Sequence, residues 1–119
     1  MHEVKSIEEL DDFIINNSSE VVMIYFGAKW CGPCNNLKKK LTDEENISRL
    51  PRLKVCYIDI DENEDITNIY KIKSLPTQLF IKLNNNKVKV IYRIEGYDFT
   101  QLIINYDKYT EIYYTPLDI

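Results

Sequence analysis

The run Val21-Val22-Met23-Ile24-Tyr25-Phe26 is apolar without a break, and Cys31-Gly32-Pro33-Cys34 follows it a few residues later. A continuous apolar run of this length suits a strand covered on both faces. It ends in Gly27-Ala28-Lys29-Trp30, after which the pattern changes: Leu37 and Leu41 stand four apart in a lysine-rich stretch. That spacing predicts an amphipathic helix over 35–41, or on to Leu50, with Pro51 breaking the chain beyond it. Two cysteines are therefore expected where a buried strand turns into a helix.

The remaining elements are legible around this junction. Ser6-Ile7-Glu8-Glu9 reads as a capping box, with Ser6 as N-cap and Glu9 three residues on. Ile7, Leu10, Phe13 and Ile14 follow at helical spacing, so a helix is expected to about Asn17, preceded by a short edge strand around 3–5. Asn17-Ser18-Ser19 is a turn. A second buried strand spans 53–60, and Ile66, Ile69 and Tyr70 mark a short helix. Pro76 introduces a strand over 77–83, Asn84-Asn85-Asn86 forms a hairpin turn, and 88–94 is the return strand, ended by Gly96. Asp98 or Thr100 caps a last helix with Leu102, Ile103 and Tyr106 inward, and a short tail is expected after about Thr110. The order β-α-β-α-β-α-β-β-α is that of an α/β fold. A parallel first part joined to an antiparallel hairpin gives a mixed central β-sheet with helices on both faces, in one domain over 1–119.

Composition narrows the function classes. Hydrophobic residues make up 45% of the 119, so a core is expected without disulfide staples. The net charge of -4 speaks against a general nucleic-acid grip, which needs a basic face. Three cysteines, Cys31, Cys34 and Cys56, are too few and too odd in number for a secreted disulfide framework. No apolar run suits a signal peptide or a membrane helix. A cytoplasmic setting is therefore expected, with the nucleus as the alternative, and no membrane partner.

At a strand-to-helix junction, Cys31 would sit where unpaired backbone N–H groups and the helix dipole favour an anion. The thiolate is the nucleophile, so a lowered thiol pKa makes such a cysteine reactive near neutral pH. Two intervening residues bring Cys34 within bonding reach, and Pro33 stiffens a first helical turn that needs no donor there. A zinc site is the first alternative. It would need about four ligands, and only Cys56 and His2 could add to the pair. Two inert structural cysteines are the second.

Trp30-Cys31-Gly32-Pro33-Cys34 resembles the active site of the thioredoxin family in full. Val4-Lys5-Ser6-Ile7-Glu8-Glu9-Leu10 resembles the family's opening segment, Asp59-Ile60-Asp61-Glu62-Asn63 the end of its third strand, Leu75-Pro76-Thr77 its cis-proline loop, and Gly96 the glycine after its last strand. The resemblance spans nearly the whole chain and implies a thioredoxin fold. It implies a protein disulfide reductase in which Cys31 attacks a client disulfide and Cys34 resolves the mixed disulfide, leaving Cys31 and Cys34 joined. It further implies a cis bond before Pro76 and a contact surface of Trp30, Gly32, Pro33, Leu75, Pro76 and Gly96, with Leu75 pairing its backbone with an extended client. The alternative reading of Trp30 is a core residue. No bound cofactor is implied. Electrons would come from NADPH through a thioredoxin reductase and pass to peroxiredoxin-like or ribonucleotide reductase clients, with a monomer at work in cell redox homeostasis.

Several positions depart from the family. Tyr25 stands where a buried aspartate is usual, and Tyr57 where a lysine pairs with it. Losing both charges together is cheaper than losing one. A phenol with a pKa near 10 is a poor base, so Cys34 is expected to be activated slowly or through water. The alternative reading of Tyr25 is a plain core residue. Tyr25-Phe26-Gly27-Ala28 is also similar to tryparedoxin and nucleoredoxin. Lys39 replaces a proline that kinks the family's active-site helix. Lys29, Lys38, Lys39 and Lys40 form a basic patch or a solvated helix face. Cys56 reads as an inert small hydrophobe. The competing functions are a thioredoxin-fold binding module or complex subunit with secondary redox activity, and a reductant regenerated by glutathione and a glutaredoxin.

Overall fold

The computed structural model describes residues 1–114. Ten elements follow one another: β1 (His2–Glu3), α1 (Ile7–Asn16), β2 (Val21–Gly27), α2 (Gly32–Thr42), α3 (Glu44–Arg49), β3 (Leu53–Asp59), α4 (Glu64–Ile69), β4 (Thr77–Asn84), β5 (Lys87–Glu95) and α5 (Phe99–Tyr114). The strands form one mixed five-stranded sheet in the order β1-β3-β2-β4-β5. β2 is central: it runs parallel to β3 and antiparallel to β4, and every one of its residues is buried.

Strand alternation divides the core into two layers. Val21, Met23 and Tyr25 face the layer that holds Cys31, Cys34 and Leu37 of α2 and Leu102, Tyr106 and Tyr109 of α5. Val22, Ile24 and Phe26 face the layer built from Leu10 and Ile14 of α1 and Ile66 of α4. The two faces of the sheet are thus covered by α2 with α5 and by α1 with α4, as a strand apolar at every position requires.

Local chemistry sets the element ends. Ser6 accepts the Glu9 N–H at 3.1 Å, the forward arm of the capping box, while Glu9 reaches past the cap to the Lys5 N–H at 3.0 Å in place of the return bond to Ser6. Asp98 is the cap of α5, accepting the Gln101 N–H at 3.0 Å. Asn85 and Asn86 hold φ of 52° and 63°, which a two-residue hairpin turn with the strands' own twist requires.

Three expectations are corrected. The helix after the cysteines does not reach Leu50. Asp43 leaves helical geometry at ψ 131°, and its carboxylate accepts the Glu45 and Asn46 N–H groups to start α3 as a separate helix. β1 pairs at His2 and Glu3, earlier than the expected 3–5, with the Val4 N–H adding a bond to the Tyr57 carbonyl. The segment after Thr110 continues α5 to Tyr114, whose hydroxyl donates to the Glu20 carbonyl at 2.8 Å and whose ring lies 4.0 Å from the Arg52 guanidinium carbon. The rest of the expected tail, 115–119, lies outside the described residues.

Candidate active site

β2 ends at Gly27, and Ala28-Lys29-Trp30 carry the chain from the end of this central strand towards α2. Cys31 is the N-cap of α2, in extended geometry, and the Cys34 N–H donates to its Sγ at 3.2 Å. Its sulfur therefore occupies the position where a cap side chain satisfies one orphan N–H of the first turn. Pro33 stands in that turn, where its missing N–H leaves nothing unpaired. Cys31 and Cys34 are joined by a disulfide, with Cα atoms 5.2 Å apart. Cys31 keeps 6% of its surface and Cys34 1%, so the first sulfur is the more accessible.

The neighbours divide into an exposed rim and a buried floor. Trp30 is 70% exposed, which removes the core reading, and its Nε1 donates to Asp61 Oδ2 at 2.8 Å. Gly32 and Pro33 are exposed beside it. The Leu75–Pro76 peptide is cis; Pro76 is buried and Leu75 half-buried, packed against both core layers, one of which contains the two cysteines. The Pro76 carbonyl accepts the Gly96 N–H at 2.7 Å, so the cis-proline loop and the glycine after β5 are held together.

Tyr25 and Tyr57 form the floor. They stand opposite each other in the β2–β3 register with ring centroids 5.0 Å apart. The Tyr25 hydroxyl donates to the Cys34 carbonyl. Gly27, on the same face of β2, makes this possible: a Cβ there would stand 3.1 Å from Tyr57 Cε2, 3.2 Å from the Tyr25 hydroxyl and 3.4 Å from Cys34 Cβ. Desolvation, then the neighbouring Tyr57, pushes the Tyr25 phenol well above its ordinary pKa. Desolvation, then Asp59, pushes Tyr57 up to about 12. Both rings are uncharged at neutral pH.

The lysines meet different neighbours, with Lys39 and Lys40 bordering one surface hollow beside Asp43 and Glu45. Lys29 pairs with Glu62 at 3.9 Å, Lys38 Nζ lies 5.8 Å from the centre of the Tyr57 ring, and Lys40 Nζ lies 6.0 Å from that of Phe99. Cys56 is fully buried in the layer on the opposite side of the sheet, and desolvation pushes its thiol up to about 12. It can supply neither a third ligand to the pair nor a reactive thiolate.

Sequence reasoning missed Gly27 and Asp61 as parts of the site. The signal for Gly27 was present: it lies two residues after Tyr25 and so shares its face. Asp61 lies 31 residues from Trp30, and no local pattern joins them.

A strand-to-helix turn that carries a Cys-x-x-Cys disulfide beside a cis-proline loop has close counterparts. The family model Thioredoxin matches residues 3–105. Thioredoxin from Chlamydia pneumoniae is 33% identical over 105 residues, covering 88% of this chain and 97% of that protein. Thioredoxin-T from Drosophila melanogaster is 40% identical over 85 residues; the match covers 71% of this chain and only 54% of the fly protein, so the chain spans about half that relative's length. Fasciola hepatica thioredoxin superposes with a TM-score of 0.78 at 28% identity, covering 91% of this chain and 98% of that one. With its Cys31–Cys34 pair at the expected place in that fold, the chain belongs to the thioredoxin family of protein disulfide oxidoreductases.

Proposed function

We propose that the chain works as a protein disulfide reductase, with Cys31 as nucleophile and Cys34 as resolving thiol. Cys31 thiolate attacks one sulfur of a client disulfide; the Cys31–client bond forms, the client's own disulfide breaks, and its other sulfur leaves as a thiolate that takes a proton. Cys34 then attacks Cys31, the second client sulfur leaves with a proton, and the chain is left with the Cys31–Cys34 disulfide while the client has gained two electrons. The observation that carries this reading is Cys31 at the N-cap of α2 with the Cys34 N–H on its sulfur at 3.2 Å, a setting that stabilises the attacking thiolate. Trp30, Gly32, Pro33, Pro76 and Gly96 form the client surface, and the Leu75 backbone pairs with an extended client segment as an added strand. Electrons come from NADPH through a thioredoxin reductase, and clients are disulfide-bearing proteins such as peroxiredoxins, in the cytoplasm.

The test is reduction of insulin disulfides with a small dithiol as electron source, for wild type, Cys31→Ser and Cys34→Ser. The reading requires acceleration by wild type, none by Cys31→Ser, and a trapped mixed disulfide with Cys34→Ser. A wild type no faster than the dithiol alone sinks it.

A further inference from the structure

We propose that Arg93, on β5, is a positioning residue that sets the height of the Leu75–Pro76 loop at which a client strand would dock; this rests on the reductase reading above. The loop starts at the end of α4. Its last turn closes in a Schellman arrangement: the Ile72 N–H donates to the Thr67 carbonyl at 3.1 Å and the Lys71 N–H to that of Asn68 at 3.2 Å, with Lys71 at φ 53°. The carbonyls of Tyr70 and Lys71 are left beyond this arrangement, at the negative end of the helix.

Arg93 takes both. Its Nη1 donates to the Tyr70 carbonyl at 3.0 Å and its Nη2 to the Lys71 carbonyl at 3.0 Å. Its Nε donates to Glu95 Oε1 at 2.9 Å, so the guanidinium plane is held from behind while its two outer nitrogens face the loop. A planar fork suits this three-point contact, and an ammonium group does not. One residue beyond Glu95 lies the other support: the Gly96 N–H holds the Pro76 carbonyl at 2.7 Å. Within the loop, the Thr77 hydroxyl donates to the Ser74 carbonyl at 2.7 Å. β5 thus grips the segment from Tyr70 to Pro76 at both ends, and the Leu75 backbone lies between the grips. The Gly96 end needs only a backbone N–H. The Arg93 end depends on one side chain, which makes it the adjustable one.

Two readouts on Arg93→Gln test this, with Arg93→Lys as the milder variant should the first fold poorly. Amide exchange at Ile72 and Gly96, whose N–H groups bond the Thr67 and Pro76 carbonyls at the two ends of the loop, is expected to quicken about tenfold relative to β2, the loss of one charge-assisted contact pair. The KM for insulin is expected to rise severalfold while turnover of a small aromatic disulfide, which needs no strand pairing, stays unchanged. Unchanged exchange at Ile72 and Gly96 overturns the proposal, as does an equal loss of rate with both substrates, which marks Arg93 as a structural staple only. A wild type that leaves insulin unreduced overturns the reductase reading instead, and exchange still reports on the clasp by itself.

Discussion

The Tyr25 hydroxyl donates to the carbonyl oxygen of Cys34, so the phenol beneath the second cysteine is tied to its backbone. Tyr25 is held protonated by burial and by Tyr57, which means it has no proton vacancy to offer the Cys34 thiol at neutral pH. Removing the hydroxyl should therefore cost stability, about 1 kcal/mol for one neutral hydrogen bond, without changing the chemistry. Tyr25→Phe is expected to lower the urea midpoint and to leave the pH dependence of mixed-disulfide resolution as in wild type. Tyr25→Asp places a carboxylate at the same depth and is expected to speed resolution at neutral pH, because a carboxylate can accept the proton that a phenol cannot. Single-turnover kinetics of the Cys31 mixed disulfide across pH separates the two variants. A Tyr25→Phe profile that loses an inflection present in wild type would show that the phenol does take the proton.

Trp30 is the chain's only tryptophan, and its 70% exposure makes its anchor to Asp61 the main restraint visible on its indole N–H. An exposed aromatic ring held in one orientation offers a client apolar area without an ordering penalty at docking. Asp61→Ala is expected to free the ring. Fluorescence anisotropy of Trp30 should fall, and the KM for insulin should rise severalfold with little change in the unfolding midpoint, since the lost contact is at the surface. An unchanged anisotropy would mean that packing, and not the Asp61 bond, fixes the ring.

Most of the fold was legible because the signals were local. The apolar run over 21–26, the capping box at Ser6 and the paired asparagines each state their own conformation. The break at Asp43 was also written locally, as a capping aspartate, but the leucine spacing on either side masked it. The extension of α5 to Tyr114 was not local at all: Tyr114 is held by Glu20 and Arg52, far away in sequence. The site divides the same way. Cys31 and Cys34 follow from spacing, and the Tyr25–Tyr57 pairing from the strand register that the resemblance supplied. Gly27's role needs the packing of three side chains around one missing Cβ, and Arg93's needs a helix end brought beside a strand 22 residues later.

Lys71 adopts the left-handed conformation that glycine prefers, at φ 53°. A side chain with a Cβ is disfavoured there by about 1–2 kcal/mol. Glycine also loses more backbone freedom on folding, which offsets part of the gain. Lys71→Gly is expected to raise stability by about 0.5–1 kcal/mol. Equilibrium urea unfolding reads this directly. A variant less stable than wild type would mean that the Lys71 side chain contributes contacts larger than the conformational strain.

Alkaline pH should unfold the chain earlier than its net charge suggests. Cys56 is fully buried, and desolvation pushes its thiol up to about 12; Tyr25 and Tyr109, each 1% exposed, are raised above 10.0, chiefly by the same cause. In the unfolded chain these groups return to their ordinary values, about 8.5 for the thiol and 10 for the phenols. As pH rises the unfolded state releases its protons first, so the folded state binds more, and stability falls. The contribution is complete below about pH 8.5 and declines above it, by about 1.4 kcal/mol per pH unit from Cys56 alone, steepening past about pH 10 as the two phenols join. Urea midpoints measured from pH 7 to 11 should trace this two-stage decline. Cys56→Ala lowers the whole curve by leaving a small cavity, but it should also remove the first stage, so that its curve stays level to about pH 10. A wild-type curve that is level over the same range would show that the three groups titrate alike in the folded and unfolded chain, against their burial.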